Sequence, residues 1–328
     1  MPVLQGDTTR NRHPAASQLI LKETDNLNPD SAQDLNLETF EDNYVGITSD
    51  SDDTPFMDFK LSVSYQLRFL DRPLHCIFRD NVTFNFAFTG RFAQYIGYRG
   101  SSPVVGKRFN PFLYFCWQPD SFPRNRFRLS FAHESNGQSV TDSAAFYATV
   151  RSLVPTKRDP DTHRQALDHI SRGWDYIGLS WSGQWLEKHN LLTEISLREY
   201  LKYGLMQDTA EEYRDWERKW YGKRLHRNQV SGLATAVEYF FKRPRRFRFL
   251  KVFENVKFSY YTGLHQPLRN HSFSTQLGLR LAKLRLALTY FDGYEGDIAQ
   301  FGKRNRSFGF SIILNSFRAP LALTGGSR

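Results

Sequence analysis

The chain has 328 residues, with 44 Lys or Arg against 34 Asp or Glu and a formal net charge of +10. Its mean hydropathy is −0.55, and no stretch approaches the roughly 18 consecutive apolar residues of a membrane-spanning helix. Its only cysteines, Cys76 and Cys116, leave no disulfide framework and no cysteine-built zinc site.

Residues 1–39 are polar, with no apolar secretory core behind Met1-Pro2, and read as a poorly ordered lead-in. From residue 42 onward the pattern has a period of two. Between Phe59 and Phe69 the odd positions are Phe59, Leu61, Val63, Tyr65, Leu67 and Phe69, and the even ones are Lys60, Ser62, Ser64, Gln66 and Arg68. That alternation is long enough for a tilted strand to cross a bilayer. Val82, Phe84, Phe86 and Phe88 alternate with Thr83, Asn85 and Ala87 in the same way. Twelve such runs fall near 42–48, 58–69, 80–92, 107–117, 125–135, 174–186, 192–204, 229–241, 247–261, 271–281, 283–293 and 305–317.

An even number of runs suits a closed antiparallel barrel. Connections after odd runs are mostly long, with 136–173 and 205–228 the longest, and those after even runs are mostly short, with 70–79 an exception. Short periplasmic turns and long extracellular loops give this asymmetry. A barrel's polar inner face also lowers mean hydropathy below zero while its outer face meets lipid. The expected fold is all-β: a twelve-stranded antiparallel transmembrane barrel over 40–317, followed by a tail over 318–328. A short amphipathic helix is expected within 208–222. A soluble sandwich would instead turn the aromatics inward and show fewer long strands with a polar second face.

The basic run Arg243-Pro244-Arg245-Arg246 sits in a tight connection. It reads as a solvated turn and not as a nucleic-acid site; anionic lipid headgroups are the natural partner of a basic barrel. Cys76 and Cys116 both fall near the periplasmic ends of this topology, either as two thiols or as a disulfide.

Three polar residues interrupt the apolar face. The outward parity of the fifth run is Phe127, Leu129, Phe131, and its next two members are His133 and Ser135. In the sixth run Ile177, Leu179, Trp181 and Trp185 define the outward parity, and the residue before Ile177 on that face is Asp175. Alternate residues on one strand face lie roughly 7 Å apart. Polar groups facing lipid are costly unless they satisfy one another or do chemistry. Ser135 as nucleophile, His133 as general base and Asp175 as orienting acid is the chemistry these residue types support.

His133-Glu134-Ser135-Asn136-Gly137 resembles the HxSNG segment of the Gram-negative outer-membrane phospholipase A family. Asp42-Asn43-Tyr44 with Thr48-Ser49-Asp50, Ser101-Ser102-Pro103 with Asn110-Pro111, Ser171-Arg172-Gly173-Trp174-Asp175, and Gly293-Tyr294-Glu295-Gly296 through Phe317 resemble further segments of that family. The likeness covers about 40–317 and is patchy between 190 and 280. It implies a calcium-dependent, dimerisation-activated hydrolase of phospholipid acyl esters in the outer membrane, its active site toward the outer leaflet. It further implies Gly137 as an oxyanion-hole amide. The implied calcium ligands are the Gln138 carbonyl, the Ser171 hydroxyl and the Ser101 carbonyl of a second copy, with Gln94 at the dimer interface.

The chain also departs from that family's pattern. Asp175 stands where the family usually has an amide, Gln138 where it often has Arg, and Val140 where an acidic residue serves a second calcium. About 28 residues are inserted between Ser139 and Asp168, and 318–328 follow the expected terminal Phe317. The alternatives are a passive channel and another outer-membrane lipid esterase, such as a lipid A deacylase.

Overall fold

The structure, a computed structural model, describes residues 37–50, 55–78, 81–97, 104–122, 124–185, 190–221, 225–241, 252–281, 284–294 and 296–315. The lead-in up to residue 36, Ser101, the 243–246 basic run and the 318–328 tail lie outside the described residues. Twelve long strands form the wall: β1 (Asn43–Asp50), β2 (Pro55–Gln66), β3 (Asn81–Tyr95), β4 (Val105–Gln118), β5 (Asn125–Ser135), β6 (Gly173–Trp185), β7 (Leu191–Tyr200), β8 (Gly232–Phe240), β9 (Phe253–Gly263), β10 (His271–Leu281), β11 (Leu284–Gly293) and β12 (Asn305–Asn315).

Each strand pairs antiparallel with its sequence neighbours, and β12 returns to β1 with Phe310 opposite Ile47. The sheet is therefore closed, which leaves no edge of unpaired backbone facing lipid. A two-residue strand, Leu37–Glu38, pairs with Tyr65 and Ser64 and lengthens the wall beyond β1.

The alternation decides which face is wet. Met57, Leu61 and Tyr65 of β2 are exposed, whereas Asp58, Ser62 and Ser64 between them are buried. In the lumen these buried groups meet partners on the neighbouring strands β3 and β4. Arg91 donates to Asp58 at 2.7 Å, Ser62 shares a hydrogen bond with Thr89 at 2.8 Å, and Ser64 one with Tyr114 at 2.8 Å. Exposed apolar residues on the other parity are what a hydrocarbon surround requires.

Where tertiary packing overrides local pattern, the elements differ from the sequence reading. The 70–79 connection holds α1 (Asp71–Phe78), with Pro73 in its first turn, where a missing N–H costs little. The long loop after β5 holds α2 (Ser143–Ser152) and α3 (Thr162–Leu167). Asp142 caps the first by accepting from the Ala145 amide, and Asp161 caps the second by accepting from His163 and Arg164. Their apolar side, with Phe146, Ala166 and Leu167, packs with Ile170, Trp216 and Trp220.

Among the described residues of 208–222 the helical structure is a 3₁₀ turn, Asp215–Glu217, and the single turn α4 (Arg218–Tyr221). Another single turn, α5 (Arg227–Val230), takes the place expected for the start of β8. β7 ends at Tyr200, four residues before the alternation does. Cys76 is exposed and Cys116 half-buried, and both are free thiols.

Loop residues fold into the loop-rich mouth. Phe301 packs edge-on to Trp174 at 5.2 Å and stacks on Tyr213 at 4.6 Å. The Arg172 guanidinium donates to Glu217 at 3.1 Å and lies 4.7 Å from the Tyr213 ring. Burial pushes the Tyr213 phenol well above its ordinary range, so it stays neutral and accepts from the Gly302 amide at 2.9 Å.

Candidate active site on the barrel exterior

Strands β5 and β6 are in register with Phe131 opposite Ile177, His133 opposite Asp175 and Ser135 opposite Gly173. Leu129, Ile177 and Leu179 are exposed, while Ala132, Glu134, Trp174 and Tyr176 are buried. His133, Ser135 and Asp175 thus share the outward face, as strand parity requires. His133 Nδ1 lies 2.7 Å from Asp175 Oδ1. The His133 side chain keeps 21% of its surface exposed, against 1% for Asp175.

Asp175 is covered although it belongs to the outward face. Its Oδ2 accepts from the backbone amides of Met206 and, at 3.1 Å, Gln207. A carboxylate with both oxygens occupied is fixed in rotation, and an imidazole bonded to it through Nδ1 leaves Nε2 free to accept a proton. Ser135 is half-buried, two residues beyond His133 on the same strand face. Its hydroxyl makes no hydrogen bond among the described residues.

The segment after Ser135 is tied down by Asn136, which is buried. Its Nδ2 donates to the Ile170 carbonyl at 2.7 Å, and its Oδ1 accepts from the Arg172 amide at 2.9 Å and the Gln138 amide at 3.3 Å. Gly137 follows with φ +57°, in the left-handed region, and an added Cβ would meet the Phe109 ring at 3.2 Å. Glycine adopts this turn without strain.

Between His133 and Ser135, Glu134 points inward. Arg108 Nε lies 3.2 Å from its Oε1, and Arg227 Nη2 lies 2.6 Å from its Oε2. Its inward parity on a lipid-crossing strand was the available sequence signal for an internal cation partner.

Of the expected calcium ligands, Gln138 and Ser171 sit on neighbouring strips of backbone. Val140 accepts from the Ser171 amide at 2.9 Å and donates to His169 at 3.0 Å. The Ser171 hydroxyl donates to Glu211 Oε2 at 2.7 Å, a carboxylate that lies too far along the chain for spacing to reveal. Hydroxyl, carboxylate and carbonyl oxygens are the hard donors calcium takes. The described residues contain no group of three or more His, Cys, Asp and Glu side chains suited to a metal. Gln94 shares the outward face of β3 and pairs with the exposed Met57.

The architecture is that of an outer-membrane β-barrel of twelve antiparallel strands. No family model matches the chain, and no curated protein matches it in sequence. Among solved structures it is similar to the dimeric outer membrane phospholipase of Salmonella typhi with bound calcium, at 14% identity and a TM-score of 0.56, over 85% of this chain and 92% of that one. It is similar to outer membrane phospholipase A from Escherichia coli at 15% identity and a TM-score of 0.56, over 90% of this chain and 96% of that one. At such identity the likeness establishes the fold.

Proposed function

We propose that this barrel is a phospholipase that hydrolyses acyl ester bonds of glycerophospholipids on its lipid-facing wall. The observation that carries the reading is the 2.7 Å bond between His133 Nδ1 and Asp175 Oδ1 on the outward face, with Ser135 next on that face. A buried carboxylate paired with an imidazole on a lipid-facing wall is costly to keep there without a function.

In this reading His133 Nε2 takes the proton of the Ser135 hydroxyl as Oγ attacks the ester carbonyl carbon. The Asp175 carboxylate accepts the Nδ1–H bond and stabilises the imidazolium. His133 then returns the proton to the departing lyso-lipid oxygen as the carbon–oxygen bond breaks. Water, deprotonated by His133, then attacks the acyl-serine; His133 returns that proton to Ser135 Oγ as the acyl–oxygen bond breaks and the fatty acid leaves. The Gly137 amide is assigned to the developing oxyanion.

Gln138, Ser171 and Glu211 would hold a calcium ion, with Ser101 of a second copy completing the set. When bound, the ion would polarise the water that helps stabilise the oxyanion. A homodimer would then pair the faces that carry Gln94. The burial of Phe301, Tyr213 and the Arg172–Glu217 pair at the loop-rich mouth favours the enzyme reading over that of a passive channel.

The test is release of fatty acid from a fluorescent phospholipid in detergent micelles, with calcium or chelator, for wild type and Ser135→Ala. Calcium-dependent hydrolysis lost in Ser135→Ala is expected. An inactive wild type sinks the reading, and release of acyl chains from lipid A but not from phospholipid would move the activity to a different lipid esterase.

A further inference from the structure

The early end of β7 has a structural purpose. Leu201 donates its amide to the Asp175 carbonyl at 2.8 Å, one last rung of the wall. The chain then turns, closed by the Gly204 amide donating to the Gln207 carbonyl at 3.1 Å, and its Met206 and Gln207 amides reach Asp175 Oδ2. Because the Asp175 side chain lies on the face of Ile177 and Leu179, the 201–207 turn must lie on the outside of the barrel wall.

The approach is close. A Cβ on Gly204 would collide with Asp175 Oδ2 and with the Gln207 carbonyl oxygen. What the turn shows outward is apolar: Tyr203 and Leu205 are each 68% exposed and Met206 58%. They continue the exposed belt of Ile177, Leu179 and Leu197 on the lipid-facing wall. Lys202 Nζ lies 5.3 Å from the centre of the Tyr203 ring, so a cation stands beside the apolar patch. Such a patch in water would be a liability; against a leaflet it is a contact.

We propose that residues 201–207 form a lipid-contacting lip, in which Tyr203, Leu205 and Met206 seat the acyl chains of the phospholipid to be cleaved while the backbone beneath them fixes Asp175. The specificity part of this proposal rests on the phospholipase reading; the lipid contact does not. The lip makes chain recognition and the orientation of His133 properties of one turn. Gly204 and the two amides are positioning elements, acting on the reaction only through Asp175.

The experiment has two arms on the full-length protein. For hydrolysis, Tyr203→Ser/Leu205→Ser is expected to lower the preference for a long-chain phosphatidylcholine over a short-chain one by about tenfold in the ratio of kcat/KM, mostly through KM. Tyr203→Phe/Leu205→Met should restore that preference. Gly204→Ala should instead lower kcat on both lipids. A chain-length preference unmoved by the double serine variant overturns the specificity part.

In the second arm, Leu205→Cys in a Cys76→Ser/Cys116→Ser background carries an environment-sensitive fluorophore, in vesicles of phosphatidylcholine with brominated acyl chains. Quenching of the label is expected whether or not the protein hydrolyses lipid. Absence of quenching overturns the lip. Quenching together with an inactive wild type supports the lip and sinks the phospholipase reading alone.

Discussion

Arg227 Nη2 donates to Glu134 Oε2 at 2.6 Å across 93 residues of sequence, and both side chains are buried. The pair stands behind the wall on which His133 and Ser135 face out. The loop after β7 therefore grips the candidate site from both sides, with Arg227 on the lumen side of Glu134 and the 201–207 turn on the outer side of Asp175.

Removing one member of a buried pair leaves an uncompensated charge, which costs about 3–5 kcal/mol. Arg227→Met is accordingly expected to lower the temperature at which the folded barrel converts to the unfolded form on a gel. Glu134→Gln added to it should recover part of that loss, since the remaining carboxylate is neutralised. A midpoint equal to wild type in Arg227→Met would show that Arg108 alone satisfies Glu134.

Asp175 invites a sharper substitution. Its Oδ2 accepts from two amides and its Oδ1 meets His133 Nδ1. An asparagine must keep its one oxygen toward the two amide donors, which turns its NH₂ group on the imidazole. The imidazole would then accept at Nδ1 and carry its proton at Nε2, the wrong tautomer for a base. Asp175→Asn should lower kcat by about 10³–10⁴-fold while leaving the fold intact. Retention of near wild-type turnover would show that the amide can serve here, as it does in the family the sequence resembles.

The barrel was legible because its information is local. Phe59 to Phe69 alternates cleanly, and the same parity turns His133 and Asp175 outward. The register of β5 on β6 then follows from the outward pairing of Phe127, Leu129 and Phe131 with Trp181, Leu179 and Ile177. What stayed hidden depends on distant partners. Helix α2 buries Phe146 against Trp216 and Trp220, some seventy residues later in the chain. β7 stops at Tyr200 because backbone that could have extended the strand caps Asp175 instead. Glu211 reaches Ser171 across 40 residues, and no spacing rule connects them.

Glu211 carries a metal prediction. If the Ser171 hydroxyl and this carboxylate are calcium ligands, Glu211→Gln should weaken calcium binding by about ten- to a hundredfold, read by titration calorimetry in detergent. Ser171→Ala should weaken it too. Calcium affinity equal to wild type in both variants would remove these residues from the site, whatever the activity of the protein.

The mouth of the barrel gives the last prediction. Twelve strands enclose more space than wall side chains alone fill, and here Tyr213 and Phe301, stacked with their planes 19° apart, fill part of the remainder. Phe301 also braces Trp174, the inward neighbour of Asp175 on β6. Emptying such a buried aromatic position costs about 3–5 kcal/mol. Tyr213→Ala/Phe301→Ala is therefore expected to lower the unfolding temperature and to loosen the entrance. In planar bilayers the wild type should show no steady open conductance, and the double variant should show brief openings. Large, steady conductance in the wild type would mean that the loop residues do not close the lumen, and the passive-channel reading would regain its place.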